Sequence, residues 1–153
     1  MNIFRQLCCA FVGLVTSASI FAQSVSVENG YIREVIPGNK ITSAYMQIHN
    51  GTEQNKKLVA AKSAEIPRIE IHEHVMEDGM MKMGEVAFIE IPAGEMVELE
   101  PMGLHLMMFD IEQPVKAGHN ITVTLVFEDK KTLDVLLPVK SLKKAKSSHH
   151  HHH

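Results

Sequence analysis

The chain has 153 residues, of which 45% are hydrophobic and 22% are charged, and its formal net charge is −3. This length fits one ordinary domain and leaves no room for a second of similar size. The hydrophobic fraction is sufficient for a packed core, which excludes a chain that is disordered throughout.

Residues 1–22 are predicted to be a secretory signal peptide. Arg5 supplies a positive charge, residues 7–15 form an apolar stretch, and the residues that follow are small and weakly polar. The apolar stretch is too short to span a bilayer, which favours cleavage near Ala22-Gln23. An uncleaved anchor or a buried N-terminal helix is the alternative.

Both cysteines of the chain, Cys8 and Cys9, lie within this segment. A lipoprotein signal is not favoured, because the bulky Leu7 precedes Cys8 and little hydrophobic sequence comes before it. Cleavage leaves a protein without cysteine in an oxidising compartment. Disulfides, thiol nucleophiles and thiolate metal ligands are therefore excluded from the mature protein.

The remaining sequence is dominated by short segments of period-two alternation that are separated by turn residues. Such segments predict a single all-β domain over residues 23–139, an antiparallel Greek-key sandwich or barrel of seven to nine strands. The candidate strands are residues 25–35, 43–49, 58–63, 66–76, 80–91, 97–99, 104–109, 121–127 and 132–139.

A tight hairpin is predicted at Asp78-Gly79, a pair typical of two-residue turns. With this turn, His74 lies directly opposite Met83 on the returning strand. Alternation then places Met83 on the same face as His72, His74 and Met76.

Methionine is the unusual residue of this chain, since eight of the nine that follow the initiator lie between Met76 and Met108. They accompany histidines in two short windows, residues 72–83 and 105–108. In the second window, His105 and Met107 share one strand face. The two faces meet only if their strands are neighbours in the fold, which the sequence leaves open.

The chemistry of these side chains indicates a metal. A thioether is a soft, neutral ligand that favours Cu(I) over Zn(II), and imidazole adds affinity. Blue-copper electron transfer needs a cysteine thiolate, so the donors suit storage or delivery of the reduced ion. The alternative is that the methionines only fill the core, as this side chain does well.

Four positions, His72, Met83, His105 and Met107, follow the spacing H-x10-M-x21-H-x-M. Together with the strings IEIHEHVMEDGMMKM and TLVFEDKKTLDVLLPV, this spacing resembles the periplasmic copper chaperone family called PCuAC, or DUF461, over roughly residues 24–139. The resemblance implies a cupredoxin-like β-barrel in the periplasm that binds one Cu(I) per chain through these four residues. It also implies delivery of copper to acceptors such as cytochrome oxidase subunit II or Sco-type proteins.

The sequence departs from the family pattern at two places. Some members carry a methionine directly after the first histidine, where this chain has Glu73. Some also have a C-terminal extension rich in histidine and methionine. Here residues 140–153 are a basic, lysine-rich tail that ends in a run of five histidines, interpreted as a purification tag.

Other histidines and methionines receive weaker assignments. His74 and Met76 lie on the predicted ligand face as alternative ligands, as neighbours of the ligands, or as solvated side chains. His49 and His119 are expected at the surface. The methionines expected to pack in the interior are Met46, Met96 and Met102.

Several function classes are disfavoured. Residues 23–139 contain 18 acidic and 10 basic side chains, a formal charge of −8, which argues against nucleic acid as a partner. No nucleophile motif or phosphate-binding loop is present, so we do not expect an enzyme. No membrane span is expected after signal cleavage, and a monomer is expected. The alternative function is a periplasmic β-sandwich interaction protein with a methionine-rich core and no metal.

Overall fold

The computed structural model describes residues 24–141, so the predicted signal peptide, the two cysteines and the lysine- and histidine-rich tail lie outside the described part. Every regular element within it is a β-strand, and no helix there is long and apolar enough to cross a membrane. The strands are β1 Val25–Arg33, β2 Thr42–Asn50, β3 Lys56–Lys62, β4 Arg68–Glu77, β5 Met80–Glu85, β6 Ile89–Ile91, β7 Met96–Leu99, β8 Leu104–Phe109, β9 Asn120–Phe127 and β10 Thr132–Lys140.

The ten strands form one mixed sheet in the order β5-β4-β8-β2-β1-β10-β9-β3-β6, and β7 pairs with β2. All neighbours are antiparallel except β1 and β10, which run parallel at Ile32↔Val139 and Arg33↔Lys140. This parallel pair joins an antiparallel half that contains β4, β5 and β8 to one that contains β3, β6 and β9. The predicted all-β, cupredoxin-like fold is confirmed. The prediction of seven to nine antiparallel strands is wrong in detail, because there are ten strands and the β1–β10 pair is parallel.

The two halves share one hydrophobic core. Ile48 and Leu106 from the first half belong to the same buried cluster as Leu58 and Val123 from the second. Buried and more exposed side chains alternate along strands such as β2 and β9, as expected when one face of each strand packs inward and the other does not. Met46 also lies in this core, which confirms its predicted packing role.

The hairpin formed by β4 and β5 has the predicted turn and register. Asp78 and Gly79 both have positive φ, 51° and 76°, as a tight turn of the primed type requires. His74 is paired with Met83, as the turn predicts. All six residues of β5 are exposed, so this edge strand extends beyond the core.

One predicted strand, at residues 80–91, is in fact two strands. The pairing of β5 with β4 ends at Glu85, and the next amide, that of Val86, donates to the Ile71 carbonyl oxygen at 2.9 Å. The chain then crosses to the other half, where Ile89 and Ile91 enter the core and β6 pairs with β3. Apolar alternation is present on both sides of the crossing, so the pattern alone does not reveal it.

Candidate metal centre

The neighbourhood of β4 and β8 brings the two histidine–methionine windows together. His72 on β4 lies directly opposite His105 on β8, and their ring centroids are 5.9 Å apart. One row further along the same two strands, Glu70 lies opposite Met107. The condition that the sequence left open is therefore met: the two ligand faces are one continuous sheet face.

Met83 reaches this face from the other side of β4. It lies opposite His74, in the row that adjoins the His72–His105 row. Successive rows on one face are about 7 Å apart along the strands. Met83 and Met107 are therefore both diagonal neighbours of His72, in the rows on either side of it. We call the surface formed by these alternating side chains the ligand face; it consists of Glu70, His72, His74, Met76, Met81, Met83, His105 and Met107.

His105 is buried and is held in one tautomer. Its Nδ1 lies 3.0 Å from the carbonyl oxygen of Gly103. Since a carbonyl can only accept, Nδ1 carries the proton and the neutral ring has its lone pair on Nε2. Burial lowers the pKa of His105, and the nearby His74 and His72 lower it further, against the opposing Gly103 hydrogen bond. The ring is therefore kept in the neutral form that binds metals.

His72 is oriented by a chain of charged groups. Its Nε2 donates to the carboxylate of Glu70 at 2.8 Å, which leaves the lone pair on Nδ1. That Nδ1 is buried and has no hydrogen-bond partner. Glu70 also accepts from Arg68, which in turn donates to Asp110 at 3.1 Å. The hydrogen bonds from His72 and Arg68 hold the pKa of Glu70 below its usual value, so it remains a carboxylate.

The two thioethers complete the set of donors. The Met83 side chain is 47% exposed on the edge strand. Met107 is half-buried, and its sulfur accepts a hydrogen bond from the Ser43 hydroxyl at 3.4 Å. Within residues 24–141, no group of three or more His, Cys, Asp and Glu side chains is placed to hold a metal ion. The thioethers on this face are donors that favour soft ions such as Cu(I).

Most methionines of the described chain are not core residues. Only Met46 and Met108 are fully buried, so the methionine cluster does not form a methionine-rich core. The packing role predicted for Met96 and Met102 is wrong, because these side chains are 42% and 62% exposed. The exposed methionines are Met76, Met80, Met81, Met83, Met96 and Met102.

His74 is closer to the centre than the sequence indicated. Its ring stacks on that of His105, with centroids 5.1 Å apart and planes at 28°. Its Nδ1 is buried and has no hydrogen-bond partner. Alternation placed His74 on the ligand face, but only the β4–β8 pairing shows its contact with His105. His119 is exposed as predicted, whereas His49 is only partly exposed, with its Nε2 3.8 Å from Glu28.

Comparison with known proteins defines the family. The family model described as "Putative lipoprotein LpqE-like" matches residues 25–139. The chain is 31% identical over 129 residues to "Putative lipoprotein Lxx21020" of Leifsonia xyli subsp. xyli, which covers 84% of this chain and 76% of that protein. The chain therefore belongs to the LpqE-like family, which is the PCuAC or DUF461 family.

Solved structures support the same assignment. The chain resembles the copper-bound PCuAC domain from PmoF2 with a TM-score of 0.66 and 22% identity, over 77% of this chain and 93% of that one. It resembles the solution structure of CuI-DR1885 from Deinococcus radiodurans with a TM-score of 0.63 and 30% identity, over 78% of this chain and 81% of that one.

Proposed function

We propose that this protein is an exported, non-enzymatic Cu(I) carrier with its cargo held by His72, Met83, His105 and Met107. The observation that carries the proposal is the direct cross-strand placement of two oriented histidines between two thioether side chains. Copper binding by DR1885 and by the PmoF2 domain supports the choice of metal.

The donor set explains why the cargo would be Cu(I). Both imidazoles have one nitrogen committed to a hydrogen bond and the other available. Two neutral thioethers add no charge, which stabilises the reduced monovalent ion relative to Cu(II). Zn(II) prefers thiolate, imidazole and carboxylate ligands, so this face would bind it weakly.

The placement of the donors suits transfer more than permanent storage. The histidines are buried at the base of the site, whereas Met83 is 47% exposed on an edge strand. An acceptor could displace Met83 first and reach the ion while the histidines still hold it. Copper would then move by exchange of one ligand at a time, with no change in oxidation state.

The destination and the compartment follow from the family resemblance. We propose that the chain is cleaved near Ala22-Gln23 and carries one Cu(I) in the periplasm, as a monomer. The acceptors would be proteins of cytochrome oxidase assembly, subunit II or a Sco-type protein. The description of family members as lipoproteins supports export.

A complementation experiment tests this function. A strain that lacks the protein should lose cytochrome oxidase activity when copper is scarce, and the wild-type chain should restore it. His105→Ala should fail to restore it, whereas Met102→Leu, an exposed methionine away from the ligand face, should succeed. Equal rescue by His105→Ala at equal protein level would contradict the proposal.

A further inference from the structure

Soft donor atoms continue along the ligand face beyond the proposed binding site. Met76 and Met81 lie directly opposite each other, in the row that adjoins the His74–Met83 row. Alternation along β4 and β5 places both side chains on the ligand face. They are 66% and 44% exposed, so neither contributes much to the core. The thioethers therefore extend from the buried histidines to the tip of the hairpin.

His74 joins the two parts of this face. It lies opposite Met83 and stacks on His105, yet none of the four proposed ligand positions includes it. Its Nδ1 is buried without a hydrogen-bond partner, which is unfavourable for a polar atom removed from water. A metal ion bound at Nδ1 would satisfy that atom.

The two faces of the hairpin differ in chemistry. On the opposite face, Met80 lies opposite Glu77, which forms an ion pair of 2.6 Å with Lys82, and β4 and β5 carry no histidine on that face. On the ligand face, the equivalent outer positions are occupied by Met76 and Met81. Exposed methionine gains little from burial, so a role in folding does not explain this arrangement.

We propose that His74, Met76 and Met81 form a second Cu(I) site, the outer site, between the inner site and the hairpin tip. This inference rests on the proposed function, because it assumes that Cu(I) is the cargo. Two thioethers and one imidazole are neutral donors suited to a soft monovalent cation. The outer site should be the weaker one, because it has a single imidazole and its thioethers are more open to water.

The position of Met83 gives the outer site a role in loading and release. Met83 lies between the two sites and can contact an ion in either one. An ion in the outer site would exchange Met81 or Met76 for Met83, and then His74 for the inner histidines. Each step makes one Cu(I)–ligand bond and breaks another, with no transfer of electrons or protons.

Titration with Ag(I), a redox-inert stand-in for Cu(I), tests the outer site on the mature chain without the five terminal histidines. Methyl NMR of labelled methionine reports each sulfur separately. The first equivalent should shift the methyl signals of Met83 and Met107, and further Ag(I) should shift those of Met76 and Met81. Met80 lies on the opposite face of the same hairpin and should not respond.

Substitution then tests the assignment. Loss of a supporting partner near a metal typically costs about 10–100-fold in affinity, and loss of a donor atom should cost at least as much. Met76→Leu/Met81→Leu should therefore weaken the second Ag(I) at least about tenfold and leave the first unchanged. His74→Phe, which retains a ring against His105, should also weaken the second Ag(I) at least about tenfold. Met80→Leu is the matched control and should change neither event.

Failure of the outer site differs from failure of the proposed function. If the first equivalent shifts Met83 and Met107 but further Ag(I) leaves Met76 and Met81 unmoved, the outer site is wrong and the inner site stands. A second event that survives in the double variant also overturns the outer site. If no equivalent shifts Met83 or Met107, the proposed inner site fails.

Discussion

Substitution of Met83 by alanine separates a ligand from a core residue. A buried methionine replaced by alanine costs about 2–5 kcal/mol, because the cavity adds to the lost transfer free energy. Met83 is 47% exposed, and every residue of its strand is exposed, so truncation opens no cavity. We expect the free energy of unfolding of the metal-free protein to fall by less than about 1 kcal/mol.

Met108→Ala provides the contrasting variant. Met108 is fully buried on the opposite face of β8 from Met107, so its truncation should cost about 2–5 kcal/mol. Urea denaturation of both metal-free variants measures the difference, with an unchanged m-value as the check that only stability has altered. In a thermal melt, 1 kcal/mol corresponds to roughly 4 °C for a domain of this size.

Metal affinity, unlike stability, should depend strongly on Met83. Met83→Ala should weaken Ag(I) or Cu(I) binding at least about tenfold, as expected for loss of a donor. Met80→Ala, equally placed on the exposed hairpin but on its other face, should leave the affinity unchanged. A loss of more than about 2 kcal/mol of stability in metal-free Met83→Ala would refute this reasoning and favour a packing role.

Three further predictions concern the environment of the ligands. Because burial lowers the pKa of His105, the part of the Cu(I) affinity that depends on this ligand should be lost only below the ordinary histidine range, as the pH drops through that lowered pKa. In a competition assay across pH, the Cu(I) affinity should fall no more steeply than uptake of two protons per site predicts. A steeper fall would implicate a further histidine. Mild peroxide followed by peptide mapping should oxidise the exposed Met83 early, and Ag(I) should protect both thioether ligands, while the buried Met46 changes little with or without metal. Glu70→Gln should weaken Cu(I) binding by about 10–100-fold, because the carboxylate that orients His72 is lost; an unchanged affinity would mean that this hydrogen bond has no role in binding.

Local chemistry explains which parts of the site could be predicted. The turn at Asp78-Gly79 depends on two residues that accept positive φ, and it alone determines the pairing of His74 with Met83. Strand alternation placed His105 and Met107 on one face by the same kind of local rule. These features needed no knowledge of distant parts of the chain.

Long-range pairing explains what could not be predicted. The contact between His72 and His105 exists because β8 lies beside β4, although 32 residues separate the two histidines in the sequence numbering. The stacking of His74 on His105 has the same origin. The separation of β5 from β6 depends on a crossing between the two halves of the sheet, and the apolar alternation on either side of that crossing does not reveal it.

The central claim concerns metal choice at the four proposed ligands. Cu(I) and Zn(II) competition on the mature chain, with the five terminal histidines removed, tests it most directly, alongside single substitutions of His72, Met83, His105 and Met107. We predict a tight Cu(I) complex, far weaker Zn(II) binding, and weaker Cu(I) binding in each variant, because two of the four ligands are thioethers. Zn(II) binding as tight as Cu(I) binding at these residues, or Cu(I) affinity that none of the four substitutions alters, would contradict it.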